Sequence, residues 1–256
     1  MDVFVIDQGI LPAFGHWVFE SVIHIPEYLR LKVKTPTMKI MVGTYKPYKP
    51  LYTNYFHIDL TDILYEVPEG SSCIYPSKKL LLDSPHVSEL HRELIQGILP
   101  ESQSQNEIQT EYSIFPRQKT HNYKGNDIPI SYKAIIDYID RVGIPYTIYH
   151  TSTVKDLSSQ IDQVRRSKVL IIPDGSAFIV NGLFASNVTI YVVGRICTEE
   201  QAMIYPQISY LLDIIKKKNR VYWFKKDTEF IEFLRTGIYK APHFKKPEGK
   251  TLERWL

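Results

Sequence analysis

No Gly-x-Gly triplet occurs anywhere in the 256 residues, so the dinucleotide-binding fingerprint is missing. No Walker A sequence occurs either. Both absences weigh against NAD- and ATP-dependent readings. No two aspartates are separated by a single residue. The chain therefore lacks the Asp-x-Asp pair that holds a divalent metal against a nucleotide-sugar diphosphate. Any diphosphate here would be neutralised by Arg, Lys and backbone N–H groups. Cys73 and Cys197 are the only cysteines. That excludes a disulfide framework, and with no Cys-x-x-Cys it leaves no cysteine metal pairing. No window approaches the run of about 18 apolar residues that a membrane-spanning helix needs. The start MDVFVIDQG is acidic and does not read as a signal peptide. The expected location is cytoplasmic, where the sequon Asn187-Val188-Thr189 would be silent. The net charge of +3 is too small to imply nucleic-acid binding by itself.

What is present is an ordinary globular mixture, 44% apolar and 23% charged, in a length that suits one large domain or two small ones. Aromatics are plentiful, with 18 Tyr, 11 Phe and 3 Trp. They could stack on sugars or bases, but core packing is the simpler use. The C-terminal third gathers Lys216, Lys217, Lys218, Arg220, Lys225, Lys226, Lys245 and Lys246. That is either an anion-binding face or a solvated helix end.

Short β-branched runs predict strands at Val3–Ile6 and Lys39–Val42. Between them, Gly15–Leu31 has the period of an amphipathic helix. Lys46–Pro50 reads as irregular and Pro85–Ile98 as a helix. Pro100–Glu111, PESQSQNEIQTE, has the composition of a linker. Beyond it the pattern is regular. Strands are predicted at Tyr112–Phe115, Tyr146–His150, Lys168–Ile172, Thr189–Val193 and Val221–Phe224. They alternate with helices at Ser131–Val142, Val154–Arg166, Ala177–Phe184, Pro206–Lys217 and Thr228–Leu234. Such alternation with short connections means an α/β fold with a parallel sheet covered on both faces. The organisation expected is an N-terminal α/β domain over 1–105 and a Rossmann-like domain over 106–226. A C-terminal helix and tail over 227–256 would either return to the N-terminal domain or fray at its end.

Ligands of such sheets bind at the carboxyl ends of the strands. Asp7, Arg117, His150 and Asp174 all lie at or just past predicted strand ends. The sharp turn Pro173-Asp174-Gly175-Ser176 joins a strand to an apolar helix, where backbone N–H groups and a helix dipole converge on an anion. Arg117 and Lys119 follow a strand and form either a surface turn or a phosphate clamp. His16, Glu20 and His24 recur every four residues, so one helix face would carry all three. They span about 12 Å of helix at 1.5 Å per residue, too far for a single ion. A His–Glu acid–base pair or a polar helix edge remain as readings.

Three blocks carry a family resemblance. Gln160 and Ile161, the strand Val169–Ile172, Gly175, Ser176, Asn181, Leu183 and Phe184 resemble the C-terminal core of family-61 glycosyltransferases. GHWVFESVIHIPEYL, from Gly15 to Leu29, is similar to that family's Gly/Asn-His-Trp/Phe helix. FPRQKTHNYKGNDI is similar to its arginine block, with Arg117 matching the first arginine. The family usually has His where Asp174 stands, and its second arginine is absent here.

The resemblance implies a GT-B fold, two Rossmann-like domains with mostly parallel sheets facing across a cleft. It also implies inverting transfer from a UDP-sugar to a glycan hydroxyl without a metal or cofactor. His16 or Glu20, with Asp7 third, would be the catalytic base. Arg117, Lys119, His150, Asp174, Gly175, Ser176 and Asn181 would line the donor site, with stabilisation of the turn alone as the alternative for Asn181. Xylose and N-acetylglucosamine transfer are both common in the family, and a short chain with a small cleft tilts the expectation to xylose. No nucleic-acid partner and no membrane span are expected. The competing class is a non-catalytic binder of a nucleotide-sugar or polyanion, in which Lys216–Lys226 with Tyr222 and Trp223 would contact the polyanion.

Overall fold

In the computed structural model of the chain, Val3, Phe4, Val5 and Ile6 are all buried. A run apolar on both faces belongs to the middle of a covered parallel sheet. The structure describes residues 1–6, 24–43, 49–76, 110–116, 132–149, 163–194, 198–203 and 206–244. The chain divides into two units. One is Met1–Gln105 with Thr153–Leu157, the other Asn106–Ser152 with Ser158–Leu256. Each carries its own all-parallel sheet, so the α/β expectation holds and the fold is of the two-domain, Rossmann-like GT-B type.

The first unit contains β1 (Asp2–Val5), α1 (Ile25–Lys34), β2 (Lys39–Met41), α2 (Lys49–Phe56), a 3-10 turn (Leu60–Asp62), β3 (Ile63–Leu64) and β4 (Ser72–Ile74). The strand order is β3-β2-β1-β4. The helix expected from Gly15 to Leu31 is corrected at its described end. The helix begins at Ile25, with His24 as N-cap and Pro26 in the first turn. Proline fits there because those N–H groups have no intrahelical acceptor. Pro50 likewise sits in the first turn of α2, so the irregular stretch expected up to Pro50 gives way to helix at Lys49. Asp62 lies 2.9 Å from both Lys32 Nζ and Lys39 Nζ. Burial raises its pKa, but the two ammonium groups outweigh this and hold the carboxyl below its usual range. The trio ties the end of α1 to the start of β2.

The second unit contains β5 (Thr110–Ile114), α3 (Tyr132–Val142), β6 (Tyr146–Ile148), β7 (Ser167–Ile172), α4 (Ser176–Phe184), β8 (Thr189–Val193), α5 (Thr198–Ala202), α6 (Pro206–Lys218), β9 (Arg220–Phe224) and α7 (Asp227–Thr236). Residues 163–166 are also helical. The sheet order is β6-β5-β7-β8-β9. On α3, Tyr132, Ile135 and Ile139 share one buried face. They pack with Ile114, Ile171, Val193, Phe224 and Phe230 in a common core.

Two polar devices sit inside this unit. Gln163 Nε2 donates to Ser113 Oγ at 2.7 Å, and Ser167 Oγ donates to the Gln163 carbonyl at 2.6 Å. That uses the only Ser167 hydroxyl proton. In the 2.5 Å contact between the two serines, Ser113 must therefore donate to Ser167. The result is a closed ring that lets two buried serines occupy adjacent strands.

Asn219 alone separates α6 from β9 and is buried. Its Nδ2 lies 3.0 Å from the Ile215 carbonyl, 3.1 Å from that of Ala185 and 3.4 Å from that of Gly182. Its Oδ1 accepts from Val188 N–H at 3.1 Å. One side chain thus clamps the ends of α4 and α6 to the start of β8. Close by, a Cβ on Gly182 would lie 2.9 Å from Ile215 Cγ2, so only glycine permits this approach of α4 to α6.

The first part of the C-terminal segment, up to Phe244, can be followed on the second unit. Helix α7 packs on the second sheet through the buried Phe230. The chain then follows edge strand β9. Trp223 N–H donates to Tyr239 Oη at 3.2 Å, and Lys225 Nζ donates to the His243 carbonyl at 2.9 Å. The rings of Trp223 and Phe244 meet edge-on at 6.2 Å. The physical reason is that an edge strand presents unpaired N–H groups, and here the next segment of chain satisfies one. Residues 245–256 lie outside the described residues.

Candidate functional site

In the second sheet β5 is flanked by β6 on one side and β7 on the other. The chain runs from β5 to β6, then crosses back to β7 and continues outward through β8 and β9. The strand order therefore reverses between β5 and β7, a topological switch point, and open α/β sheets form their ligand-binding crevice outside the carboxyl ends of the strands at such a point. Phe115 N–H donates to the Ile171 carbonyl at 2.8 Å, so the two strands stay paired up to that opening. The first sheet has the same device between β1 and β4, since the chain proceeds β1, β2, β3 outward and returns to the other side of β1.

After β7, Pro173 and the turn Asp174-Gly175 lead directly into α4. Gly175 has φ 90° and ψ −143°, a conformation open essentially to glycine alone. The first intrahelical bond runs from Ile179 N–H to the Gly175 carbonyl at 3.0 Å. The N–H groups of Ser176, Ala177 and Phe178 therefore have no acceptor within the helix and face its start. Such N–H groups, together with the helix dipole, favour negative charge at a helix start. Phe178, Ile179, Val180, Asn181 and Phe184 are all buried.

Asp174 is 8% exposed. Its Oδ1 accepts from Gly175 N–H at 2.7 Å, and its Oδ2 accepts from Thr198 N–H at 3.0 Å. The Gly175 N–H, expected to contact a diphosphate, is thus bonded to the neighbouring carboxylate. Ser176 retains its place at the first helical position. Asn181 is fully buried, and its Nδ2 donates to the Ala177 carbonyl one turn back at 2.7 Å. That bond is internal to α4.

Asp7, His16, Glu20, Arg117, Lys119 and His150 lie outside the described residues. Their places in the chain still bear on the topology. Asp7 follows Ile6 at the end of β1, and His16 and Glu20 belong to the connection that leaves it. Arg117 and Lys119 belong to the connection that leaves β5. His150 follows β6, where Tyr149 N–H donates to the Ile114 carbonyl at 2.8 Å. The sequence reading missed Thr198, which starts an unforeseen helix. Its signal was present as Thr-Glu-Glu, with Glu199 and Glu200 in the first turn.

The basic face has a structural account. Lys216, Lys217 and Lys218 lie in the last turn of α6, where cations complement the negative helix end. Lys216 also pairs with Glu199. With Arg220, Asn187 and Asn219 they line a pocket of about 340 Å³. The neighbouring aromatics serve the core. Trp223 is buried against Phe178 at 4.9 Å, and Tyr222 packs edge-on to Tyr239 at 4.9 Å. Tyr191 lies among Tyr222, Phe224, Phe230 and Phe233. Burial first, then the Tyr112 and Tyr222 hydroxyls, push its phenol up to about 12.

Two parallel sheets, each with a switch point, define a two-domain Rossmann-like α/β architecture. The sequence profile of glycosyltransferase family 61 matches residues 14–192, and the chain belongs to that family. The match begins after β1 and ends within β8, so it takes in parts of both sheets and leaves β1 and β9 outside it. No curated protein matches the chain significantly. Membership implies a nucleotide-sugar donor and a glycan acceptor in general. Among the described residues no helix is long and apolar enough to cross a membrane.

Proposed function

We propose that this glycosyltransferase moves a sugar from a UDP-sugar to a glycan hydroxyl with inversion and without a metal or other cofactor. Xylose is the preferred donor sugar and N-acetylglucosamine the next. The supporting observation is a coincidence at one switch point. The helix terminus at Ser176 follows β7, and the segment bearing Arg117 and Lys119 follows β5, its neighbour in the sheet. The two connections therefore start on either side of the crevice in which a diphosphate would lie.

Inverting transfer is a single displacement. The acceptor oxygen forms a bond to the anomeric carbon as the bond from that carbon to the β-phosphate oxygen breaks. The electron pair leaves with UDP, and the acceptor proton passes to a base. His16 or Glu20 is the base, with Asp7 the third candidate. All three belong to the connection leaving β1 at the switch point of the first sheet. Arg117, Lys119 and the first-turn N–H groups of α4 stabilise the charge that develops on the diphosphate.

His16→Ala and Glu20→Ala should be assayed for UDP release with acceptor and for UDP affinity by calorimetry. The true base should lose about 100-fold or more in turnover with UDP affinity close to wild type. Full activity in both single variants removes the assignment. Arg117→Ala should weaken UDP binding about tenfold or more, as expected for a charge-assisted contact, and unchanged affinity removes it from the clamp. A panel of UDP-sugars in a thermal-shift assay identifies the donor, since the bound sugar stabilises the native state. Donor binding without any UDP release would make the protein a non-catalytic binder.

A further inference from the structure

Asp174 stands at the carboxyl end of β7, beside the crevice, yet both of its carboxylate oxygens accept backbone N–H groups. One belongs to Gly175, the next residue. The other belongs to Thr198, 24 residues further on at the first position of α5 and only 1% exposed. A single carboxylate thus bonds the two segments that leave the adjacent strands β7 and β8. Burying a carboxylate is costly unless it is hydrogen-bonded. Here two N–H donors and the positive end of α4 meet that requirement.

The geometry points to Asp174 as a positioning residue that acts through Thr198, fixing the Gly175 turn against the start of α5 and so setting the shape of the donor pocket. This rests on the donor-site reading above. It differs from a role in which Asp174, as a residue lining the donor site, would itself contact the sugar, and the two roles make different demands. A direct sugar contact governs which UDP-sugar is preferred. A bond that sets the turn governs the affinity for every ligand with a diphosphate at α4, including UDP alone.

The test is a double-mutant cycle of Asp174→Ala and Thr198→Pro. Alanine removes the acceptor of both N–H groups, whereas an asparagine, whichever way its amide turns, leaves one of the two without an acceptor. Proline removes the Thr198 N–H while suiting the first position of a helix. Each single variant should raise the UDP dissociation constant and the donor KM about tenfold, with kcat falling less than threefold. The double variant should be no worse than the poorer single, because both changes break one bond. Loss of the Asp174 charge acts in both backgrounds and cancels from the coupling.

Multiplying effects, or a changed order of UDP-sugars with UDP affinity intact, overturn the proposal. Hydrogen exchange gives a readout that needs no donor. In Asp174→Asn the Thr198 or Gly175 amide should lose protection at least tenfold relative to the amides of β8, and unchanged protection of both refutes the bond. If the wild-type protein neither binds UDP nor releases it from any UDP-sugar, the donor reading fails, and hydrogen exchange still judges the tie between the two loops. Should Thr198→Pro fail to fold, the exchange measurement on Asp174→Asn decides alone.

Discussion

Asn219→Ala should destabilise the second unit by about 3–4 kcal/mol. Three hydrogen bonds of good length disappear, to Val188 N–H, the Ala185 carbonyl and the Ile215 carbonyl. At about 1 kcal/mol net for each, they account for roughly 3 kcal/mol. The 3.4 Å approach to the Gly182 carbonyl adds little. The Ile215 carbonyl keeps the backbone N–H of residue 219 at 3.0 Å and is not stranded. Val188 N–H is buried and loses its acceptor, which adds up to about 1 kcal/mol.

Urea unfolding followed by circular dichroism, at unchanged m value, measures the loss. In a unit of this size it corresponds to a fall in Tm of roughly 10 °C. Asn219→Asp is the sharper variant, because it keeps the size and turns the donor into an oxygen facing carbonyls. Those carbonyls oppose the charged form, so the folded-state pKa of the new aspartate rises above the ~3.9 of an unfolded chain. Its stability contribution is present below ~3.9 and is lost as pH rises through the folded-state pKa. The aspartate variant should therefore be as damaged as the alanine variant at pH 7 and recover toward wild type on acidification. A loss under about 1 kcal/mol in Asn219→Ala, or an aspartate variant that is fully stable at pH 7, refutes the clamp.

The serine ring predicts non-additivity. Ser113→Ala and Ser167→Ala should each cost about 1–2 kcal/mol in urea unfolding, and the double variant clearly less than the sum, since either change opens the same ring. Tyr191 predicts an alkaline signature. Its raised pKa means that it favours the folded state below about 10 and that this contribution is lost as pH rises through about 12. Tyr191→Phe should flatten the fall in Tm between pH 10 and 12, and an unchanged alkaline slope would show that Tyr191 is not responsible.

The second sheet could be read in the sequence because its strands are apolar on both faces. Lys168–Ile172 and Thr189–Val193 are runs that only a covered parallel sheet accommodates. β4 escaped notice because its three residues, Ser72, Cys73 and Ile74, are partly or fully exposed and give no apolar run. α2 was hidden by Pro50, a breaker in mid-helix and a good residue in a first turn. Of the site, the turn after β7 was visible from its Asp-Gly-Ser pattern. The work of Asp174 was not, because its partner Thr198 is distant in sequence and contributes a main-chain N–H that no side chain announces.

The strip of chain that follows α7 has a further consequence for where this protein can be shortened. Tyr239 takes the Trp223 N–H, while Phe244 covers the Trp223 ring. A chain cut before Ile238 would keep every strand of both sheets and still expose a tyrosine- and tryptophan-bearing border able to recruit a strand from another molecule. Such a fragment would self-associate in solution through β9, so the practical C-terminal limit lies beyond Phe244 and not at the end of the last helix.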